Sequence, residues 1–191
     1  TEGHGDDRYR YEGKINHNFS SNVYYKGCPP ALLAKLAACT ETVQNYPSPA
    51  AQELNEAAAA RHALAAAHFL FTNGATEAFY LIAHCFAAMR AAIVAPTFSE
   101  YADACQVHGL DYQLVDIDDL VASDYELVFI CNSNNPDGRV IAAEKLVERI
   151  EKAPATTFVL DEAYIEFTNK TSSLSQWVGQ LHNLIIVRSL T

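Results

Sequence analysis

The sequence predicts an α/β fold in which helices cover both faces of a mostly parallel sheet. Two observations support this: strand-like segments such as "AAIVAP" and "ELVFIC" are apolar throughout, and helical segments separate them. Continuously apolar strands are typical of parallel sheets, because crossover helices bury both faces. With 191 residues, 50% of them hydrophobic, the chain is long enough for one ordinary globular domain.

Helical and strand signals alternate along the chain after a polar start. Residues 1–30 are rich in Gly, Asn and Tyr and lack a helical period, so they predict an extended arm. The alanine-rich segment 50–67 has high helix propensity. The predicted helices are 31–38, 50–67, 75–89, 99–107 and 142–152, and the predicted strands are 68–74, 91–96, 111–117, 126–132, 156–164 and 184–188.

Composition and charge exclude several classes of protein. A formal net charge of -10 argues against a general binder of nucleic acid or membrane surfaces, which would carry a basic face. The 5 cysteines form no C-x-x-C pair and lie mostly in apolar stretches, so we interpret them as reduced core residues. No segment has the composition of a membrane span or a signal peptide. These patterns predict a cytoplasmic protein.

Polar residues follow four of the predicted strands. In "FTNGATEAF", Asn73 and Gly74 turn the chain, and Ala75, Thr76 and Glu77 open a helix. The free N–H groups and the dipole of a helix N-terminus suit a phosphate. Ordinary capping of the helix would explain the same residues equally well.

The other three strand ends carry amides, a carboxylate and hydroxyls. "CNSNNPDGRV" contains more asparagines than its turn at Pro136–Gly138 requires. In "TTFVLDEAY", Asp161 follows a buried strand, where a carboxylate is costly unless a positive group meets it. "NLIIVRSLT" adds the hydroxyls of Ser189 and Thr191. In parallel sheets, ligands gather at these carboxyl ends.

Two common nucleotide-binding patterns are missing from the sequence. None of the 8 glycines forms the G-x-x-x-x-G-K-[ST] loop of NTPases. Gly3 and Gly5 are followed by Arg8 where a dinucleotide fingerprint needs its third glycine. A phosphate site, amides and a buried carboxylate instead fit one small molecule, pyridoxal 5′-phosphate (PLP), which has a phosphate, a phenolic oxygen and a cationic ring nitrogen.

The order of motifs is similar to that of a known family. "NGATEA", "PTFSEY", "NNPDG", "DEAY" and "RSLT" follow one another along the chain. In this order they resemble the fold-type I PLP enzymes, specifically the branch of histidinol-phosphate aminotransferase and threonine-phosphate decarboxylase. The resemblance implies a PLP-binding large domain over residues 31–191.

The resemblance also implies roles for individual residues. Asp161 would pair with the ring nitrogen and keep it protonated, so that the ring can accept electrons from the substrate. Phe98 would stack on the ring, and Asn135 and Tyr164 would hydrogen-bond its 3′ oxygen. The phosphate would be held by the turn and helix start at Gly74, Ala75 and Thr76, by Ser189 and Thr191, and by Tyr46 of the neighbouring subunit, which implies a homodimer.

In the family, the residue after S-x-[ST] is the lysine that holds PLP as a Schiff base. We therefore expect that lysine directly after Thr191, since no lysine of the chain follows such a motif. The rest of the large domain and the small domain are expected beyond that point.

The arm resembles the start of threonine-phosphate decarboxylases. It has an early His-Gly pair and an "NFSSN" segment, which would place His4 and Asn22 near the substrate. Tyr24 and Tyr25 stand where an Asn-Pro pair is usual, so the sequence departs from the pattern there.

Taken together, the resemblance implies a PLP-dependent aminotransferase acting on a small, phosphorylated amino acid or amine. Two alternatives remain open: a threonine-phosphate decarboxylase of cobalamin biosynthesis, and a non-catalytic PLP-fold fragment. The sequence predicts no metal site, since its histidines lack ligand spacing.

Overall fold

The computed structural model describes residues 11, 13–22 and 26–189. The chain divides into two compact units, residues 1–50 and 51–191. The first unit contains helix α1 (Pro30–Ala38), which starts with a proline where no backbone donor is needed, and a 3-10 helix at Thr40–Gln44. The helix predicted at 31–38 is thus confirmed. The predicted division into an arm and a domain at residue 30 stays a prediction.

The described part of the second unit contains four α-helices and five strands, along with short 3-10 helices. The helices are α2 (Gln52–His62), α3 (Gly74–Cys85), α4 (Glu100–Val107) and α5 (Ala143–Lys152). The strands are β1 (Arg90–Val94), β2 (Asp111–Val115), β3 (Leu127–Cys131), β4 (Thr157–Asp161) and β5 (Leu184–Val187). Among the described residues, no helix is both long and apolar enough to span a lipid bilayer.

The five strands form one parallel sheet in the order β2-β1-β3-β4-β5. The chain first runs outward from β1 to β2 and then returns to place β3 on the other side of β1. Such a reversal leaves a crevice outside the carboxyl ends of the two strands at the switch point, here β1 and β3. The carboxyl ends of β3, β4 and β5 lie side by side, with Cys131 beside Asp161 and Asp161 beside Val187.

Each face of the sheet has its own hydrophobic core. Alternate residues of β3 and β4 point to opposite faces, as the pleat requires. Val128, Ile130, Phe158 and Leu160 pack with α5 on one face. On the other face, Phe129 and Val159 pack with α3 and α4. The second unit therefore has helix, sheet and helix layers, which confirms the predicted fold class.

Three predicted elements differ most from the structure, and the strand predicted at 156–164 spans Thr157–Asp161. The strand predicted at 68–74 is wrong: a 3-10 helix occupies Ala66–His68, and the following residues have no ladder partner within the described chain, with Leu70 80% exposed. The predicted helix 50–67 ends at His62, because Ala63 adopts a left-handed backbone with φ of 54°. The predicted helix 75–89 ends at Cys85, and Ala88 beyond it again has positive φ.

Candidate active site at the carboxyl ends of the strands

Asp161 is the last residue of β4, and its carboxylate is buried beneath helix α4. The residue is 5% exposed. Its Oδ2 accepts a hydrogen bond from the Tyr101 hydroxyl at 2.5 Å, and its Oδ1 accepts one from the backbone N–H of Ala163 at 2.9 Å. Within the described part of the chain, no Lys, Arg or His forms an ion pair with it. The carboxylate therefore has neutral donors but no counter-charge.

The surroundings of Asp161 disfavour its charged form. Burial raises the pKa of the carboxyl above its ordinary value, although the hydrogen bonds from Tyr101 and Ala163 lower it. Burial, reinforced by the Asp161 charge, raises the pKa of Tyr101 far above its ordinary value and that of Cys131 to about 11. Both neighbours therefore stay protonated at neutral pH. A cationic ligand group at this position would supply the missing charge.

Glu162 follows directly but serves the opposite face of the sheet. Its carboxylate is buried and accepts hydrogen bonds from the Ser173 hydroxyl at 2.6 Å and the Leu174 N–H at 2.9 Å. Leu174 belongs to the core on the α5 face. Burial raises the pKa of Glu162 as well. Of the two adjacent carboxylates, only Asp161 faces the α4 side, so Glu162 acts as a structural anchor for the segment 173–174.

Hydrogen bonds within and around the loop after β3 account for two of the three asparagines in "CNSNNPDG". Asn132 exchanges hydrogen bonds with the backbone of Ile141, at 2.8 and 3.0 Å. Asn134 accepts from the Thr97 hydroxyl at 3.0 Å and donates to the carbonyl of Pro96 and the carboxylate of Asp137. These two side chains brace the loop and tie it to the segment after β1. The side chain of Asn135, half-buried beside them, forms no such hydrogen bond with the described residues, and Asn135 remains the candidate for ligand contact.

The start of α3 lies at the same edge of the sheet as the carboxyl end of β1. α3 packs on the sheet through Phe79 and Ala83 and connects to β1 by a short turn, so its N-terminus points to the far end of that strand. Gly74 has φ of +79°, a left-handed conformation that suits glycine. The amides of Ala75 and Thr76 lie in the first turn, where N–H groups have no acceptor within the helix. The Glu77 carboxylate accepts from the Asn73 N–H, so part of this end is capped by the chain itself.

The remaining predicted contacts fall in three places. Phe98 is half-buried after β1, and its ring meets that of Tyr101 edge-on at 5.9 Å. Tyr164 lies three residues after Asp161, and half-buried Ser189 lies two residues after β5. Five candidate residues of the second unit thus lie at or just after the carboxyl ends of strands: Asp161, Phe98, Asn135, Tyr164 and Ser189.

The other predicted site residues belong to the first unit or lie outside the described residues. Tyr46 and Asn22 are in residues 1–50, and both are exposed. His4 and Thr191 lie outside the described residues. Their predicted roles stay predictions.

Comparison with known proteins agrees with this architecture. The sequence profile of the family described as aminotransferase class I and II matches residues 14–191. The chain belongs to this family. Its members include a histidinol-phosphate aminotransferase of Francisella philomiragia that is 31% identical over 163 residues, covering 76% of this chain and 45% of that protein. The threonine-phosphate decarboxylase of Salmonella typhimurium is 28% identical over 189 residues, covering 91% of this chain and 52% of the relative.

Solved structures of family members have the same fold. The L-threonine-O-3-phosphate decarboxylase from Porphyromonas gingivalis superposes with a TM-score of 0.84 at 32% identity, over 89% of this chain and 56% of that one. The histidinol-phosphate aminotransferase from Sinorhizobium meliloti, solved in complex with pyridoxal-5′-phosphate, gives a TM-score of 0.86 at 21% identity, over 95% and 54%. The chain thus spans about half the length of the family members it matches.

Sequence reasoning missed the residue that contacts Asp161 most directly. Tyr101 is part of the quoted "PTFSEY", three residues after Phe98, and the structure places its hydroxyl on the Asp161 carboxylate. The available signal was its helical spacing: Tyr101, Ala104 and Cys105 form one buried stripe of α4. A tyrosine in such a stripe needs a buried partner for its hydroxyl. The identity of that partner depends on the packing of α4 over β4, which spacing alone does not give.

Proposed function

We propose that this chain is part of a PLP-dependent aminotransferase that acts on a small amino acid or amine carrying a phosphate. The observation that carries the proposal is the buried Asp161 carboxylate, which has two neutral donors and, among the described residues, no ion-pair partner. A protonated ring nitrogen is a cation of the size and direction that such a carboxylate accepts. Membership of the aminotransferase family supports the reaction class, and the names of its relatives support the substrate class.

Each residue near the strand ends has a role in this proposal. When bound, PLP supplies an electron sink for bond cleavage at the substrate Cα, provided that its ring nitrogen stays protonated. The Asp161 carboxylate accepts a hydrogen bond from the protonated ring nitrogen and so favours its protonated form. Phe98 stacks on the ring, and Asn135 and Tyr164 hydrogen-bond its 3′ oxygen. The amides of Ala75 and Thr76, after the Gly74 turn, bind the phosphate together with the hydroxyls of Ser189 and Thr191.

The covalent link to PLP gives the first test. From the family resemblance, we expect the linking lysine directly after Thr191. Borohydride reduction of the full-length protein, followed by peptide mass mapping, should find a pyridoxyl-phosphate increment on that lysine. A protein that binds PLP without any increment after reduction would favour the non-catalytic PLP-fold alternative and contradict an enzyme.

Threonine-phosphate decarboxylase is the second candidate. The solved structure of the L-threonine-O-3-phosphate decarboxylase from Porphyromonas gingivalis matches this chain at 32% identity. The "NFSSN" segment with Asn22, and the early His4, also favour it. Both candidates use the same cofactor contacts and differ in which bond at the substrate Cα is broken.

An assay with two substrates separates the candidates. The full-length protein is incubated with histidinol phosphate or threonine phosphate, with and without a keto-acid acceptor. Turnover that requires the acceptor supports the aminotransferase. Release of carbon dioxide from threonine phosphate without acceptor supports the decarboxylase and contradicts the aminotransferase.

The proposal includes a cytoplasmic homodimer with shared sites. The cysteines are all free thiols, which is typical of a reducing compartment. Tyr46 presents a fully exposed ring that would reach the cofactor phosphate of a partner subunit. Mixing inactive Tyr46→Phe and Asp161→Asn proteins should restore part of the activity, because some sites in mixed dimers then combine two intact contributions. Failure to recover any activity, with exchange of subunits verified, would contradict shared sites.

A further inference from the structure

Tyr101 is the residue through which helix α4 meets the candidate cofactor site. Its side chain is fully buried, and its hydroxyl donates to Asp161 Oδ2 at 2.5 Å. The hydroxyl belongs to a different element from the carboxylate, so the bond joins α4 to the end of β4. No other side chain in the described chain hydrogen-bonds this carboxylate.

Three phenylalanines hold the Tyr101 ring in place. The ring stacks on Phe129 of β3 at 5.3 Å between centroids, with 6° between the planes. Phe79 of α3 meets its edge at 4.8 Å and 84°, and Phe98 does so at 5.9 Å and 79°. A ring enclosed on these sides cannot swing without moving three neighbours, because interiors are close-packed. The position of the hydroxyl is therefore fixed by the core.

We propose that Tyr101 is a positioning residue that orients the Asp161 carboxylate toward the cofactor's ring nitrogen and keeps it ready to accept a cation. This inference rests on the proposed function. Donors from Tyr101 and the Ala163 N–H reach different carboxylate oxygens, which fixes the plane of the group. Each oxygen retains a further lone pair, so the carboxylate can still accept a hydrogen bond from a ligand.

The second part of the proposal concerns the proton of Asp161. Tyr101 faces it from α4 and Cys131 from β3, while the carboxylate of Glu162 lies on the opposite face. Tyr101 and Cys131 have raised pKa values and stay neutral, so the hydrogen bond from Tyr101 is the side-chain contact that favours the charged carboxylate. Without the hydroxyl, the pKa of Asp161 rises further, and the cofactor-free protein takes up a proton at a higher pH.

The test is the pH dependence of pyridoxamine 5′-phosphate affinity in the full-length protein carrying Tyr101→Phe. This probe has the same ring nitrogen and phosphate but cannot link covalently to a lysine. We expect the loss of affinity relative to wild type to reach about 10-fold at acidic pH, where more of the variant's Asp161 is protonated, and to shrink as the pH rises and the carboxylate regains its charge. The ring nitrogen of the unbound probe titrates identically in both experiments, so its contribution cancels in the ratio of affinities.

Two variants serve as controls. Tyr125→Phe also removes one tyrosine hydroxyl bond, to the exposed Gln113 at 2.9 Å and away from Asp161, and should leave affinity unchanged at every pH. Asp161→Asn should weaken binding at every pH. If Asp161→Asn binds like wild type, the proposed cofactor site is wrong. If Asp161→Asn weakens binding while Tyr101→Phe binds like wild type at every pH, only the role proposed for Tyr101 is wrong. A loss in Tyr101→Phe that does not vary with pH would contradict its effect on the Asp161 proton.

A second substitution tests the idea should Tyr101→Phe fail to fold. Placing 3-fluorotyrosine at position 101 keeps the ring and the hydroxyl but makes the hydroxyl a stronger donor. The pH at which affinity falls should then move below that of wild type, because the charged carboxylate is better stabilised. An unchanged pH profile in this protein would overturn the proposal.

Discussion

Asp161 is a residue whose burial costs stability at neutral pH. Its carboxylate is removed from water without an ion-pair partner in the described chain, and its pKa is raised by that burial. A carboxyl whose folded pKa lies above its unfolded value binds more protons when folded. Its favourable contribution is present below the unfolded pKa of about 3.9 and is lost as pH rises through the folded value. At neutral pH the residue therefore destabilises the cofactor-free protein.

Asp161→Asn should stabilise the cofactor-free protein at pH 7. The amide can still accept from the Ala163 N–H and donate to the Tyr101 hydroxyl, so the geometry is kept without the buried charge. We expect a gain in the free energy of unfolding of about 0.5–2 kcal/mol, the usual scale of a stability and function trade-off. Urea denaturation at pH 7 and near pH 4, close to the ordinary carboxyl pKa, would measure it. A gain that persists unchanged at the lower pH would show that relief of the charge is not the cause.

Among the elements, helix α3 depends on the backbone of its first residue. Gly74 has φ of +79°, and a Cβ there would meet nothing within 4 Å. Gly109, just after α4, has φ of +70° and is equally open. The two glycines therefore present the same backbone strain to a substitution, but only Gly74 lies at a helix N-terminus.

Gly74→Ala and Gly109→Ala should lower stability by a similar amount, about 1 kcal/mol, because each puts a Cβ into a left-handed conformation. Only Gly74→Ala should also weaken PLP binding, since relaxing this strain turns the amides of Ala75 and Thr76. Thermal unfolding and PLP titration of both variants would check this. Equal loss of affinity in the two would mean that the helix start does not hold the phosphate.

The loop after β3 is an element braced by side chains rather than by a backbone ladder. Asn134→Ala removes bonds to Thr97, Pro96 and Asp137 and should lower stability by about 1–3 kcal/mol and weaken PLP binding. Asn183→Ala is the matched control: this buried amide donates to the carbonyls of Ile150, Ala153 and Thr156 at the opposite end of β4 and β5. It should cost similar stability but leave affinity intact, as measured by denaturation and titration. The reverse pattern would contradict a role for this loop in the site.

How well an element can be predicted from sequence depends on what holds it. The strands β1, β3, β4 and β5 were predictable because their residues are apolar on both faces. The segment Phe69–Leu70–Phe71 has the same local composition but lacks a ladder partner in the described chain, and no local pattern can report a missing neighbour. The premature end of α2 follows from the backbone of Ala63, a residue with high helix propensity.

Some residues of the candidate site could likewise be predicted from the sequence, whereas others depend on tertiary packing. Asp161 could be predicted because a carboxylate at the end of an apolar strand is conspicuous, and Phe98, Asn135 and Tyr164 followed from the resemblance. Tyr101 could not be assigned a partner, because its bond spans 60 positions of sequence. Neither could the separate uses of Asp161 and Glu162 be inferred from their adjacency alone.

At the scale of the second unit, the topology brings the candidate contacts Phe98, Asn135, Asp161 and Tyr164 to the carboxyl edge of the sheet. The ends of β1, β3, β4 and β5 lie in register there, whereas the amino ends lie at the other edge. A ligand bound at the carboxyl edge should restrict several strands at once, since their ends would share it. The amino edge would be affected much less.

Hydrogen exchange with and without PLP should show this difference. We expect slower exchange for the amides of residues 74–78, 132–139 and 162–164 when the cofactor is present. Amides near Asp111 and Asn183, at the amino edge, should exchange at unchanged rates. Uniform protection of the whole sheet would indicate general stabilisation by mass action instead of a site at one edge.

The opposite orientations of Asp161 and Glu162 also favour one register of β4 within the sheet. If β4 slipped by one residue against its neighbours, every side chain would change face. Depending on the direction of the slip, either Glu162 would take the place of Asp161 opposite Tyr101, or Asp161 would take the place of Glu162 near Ser173 and Leu174. Such a misaligned strand would lose both sets of hydrogen bonds together. The acidic pair therefore favours one alignment of the strand during folding, because only that alignment gives both carboxylates their hydrogen-bond donors.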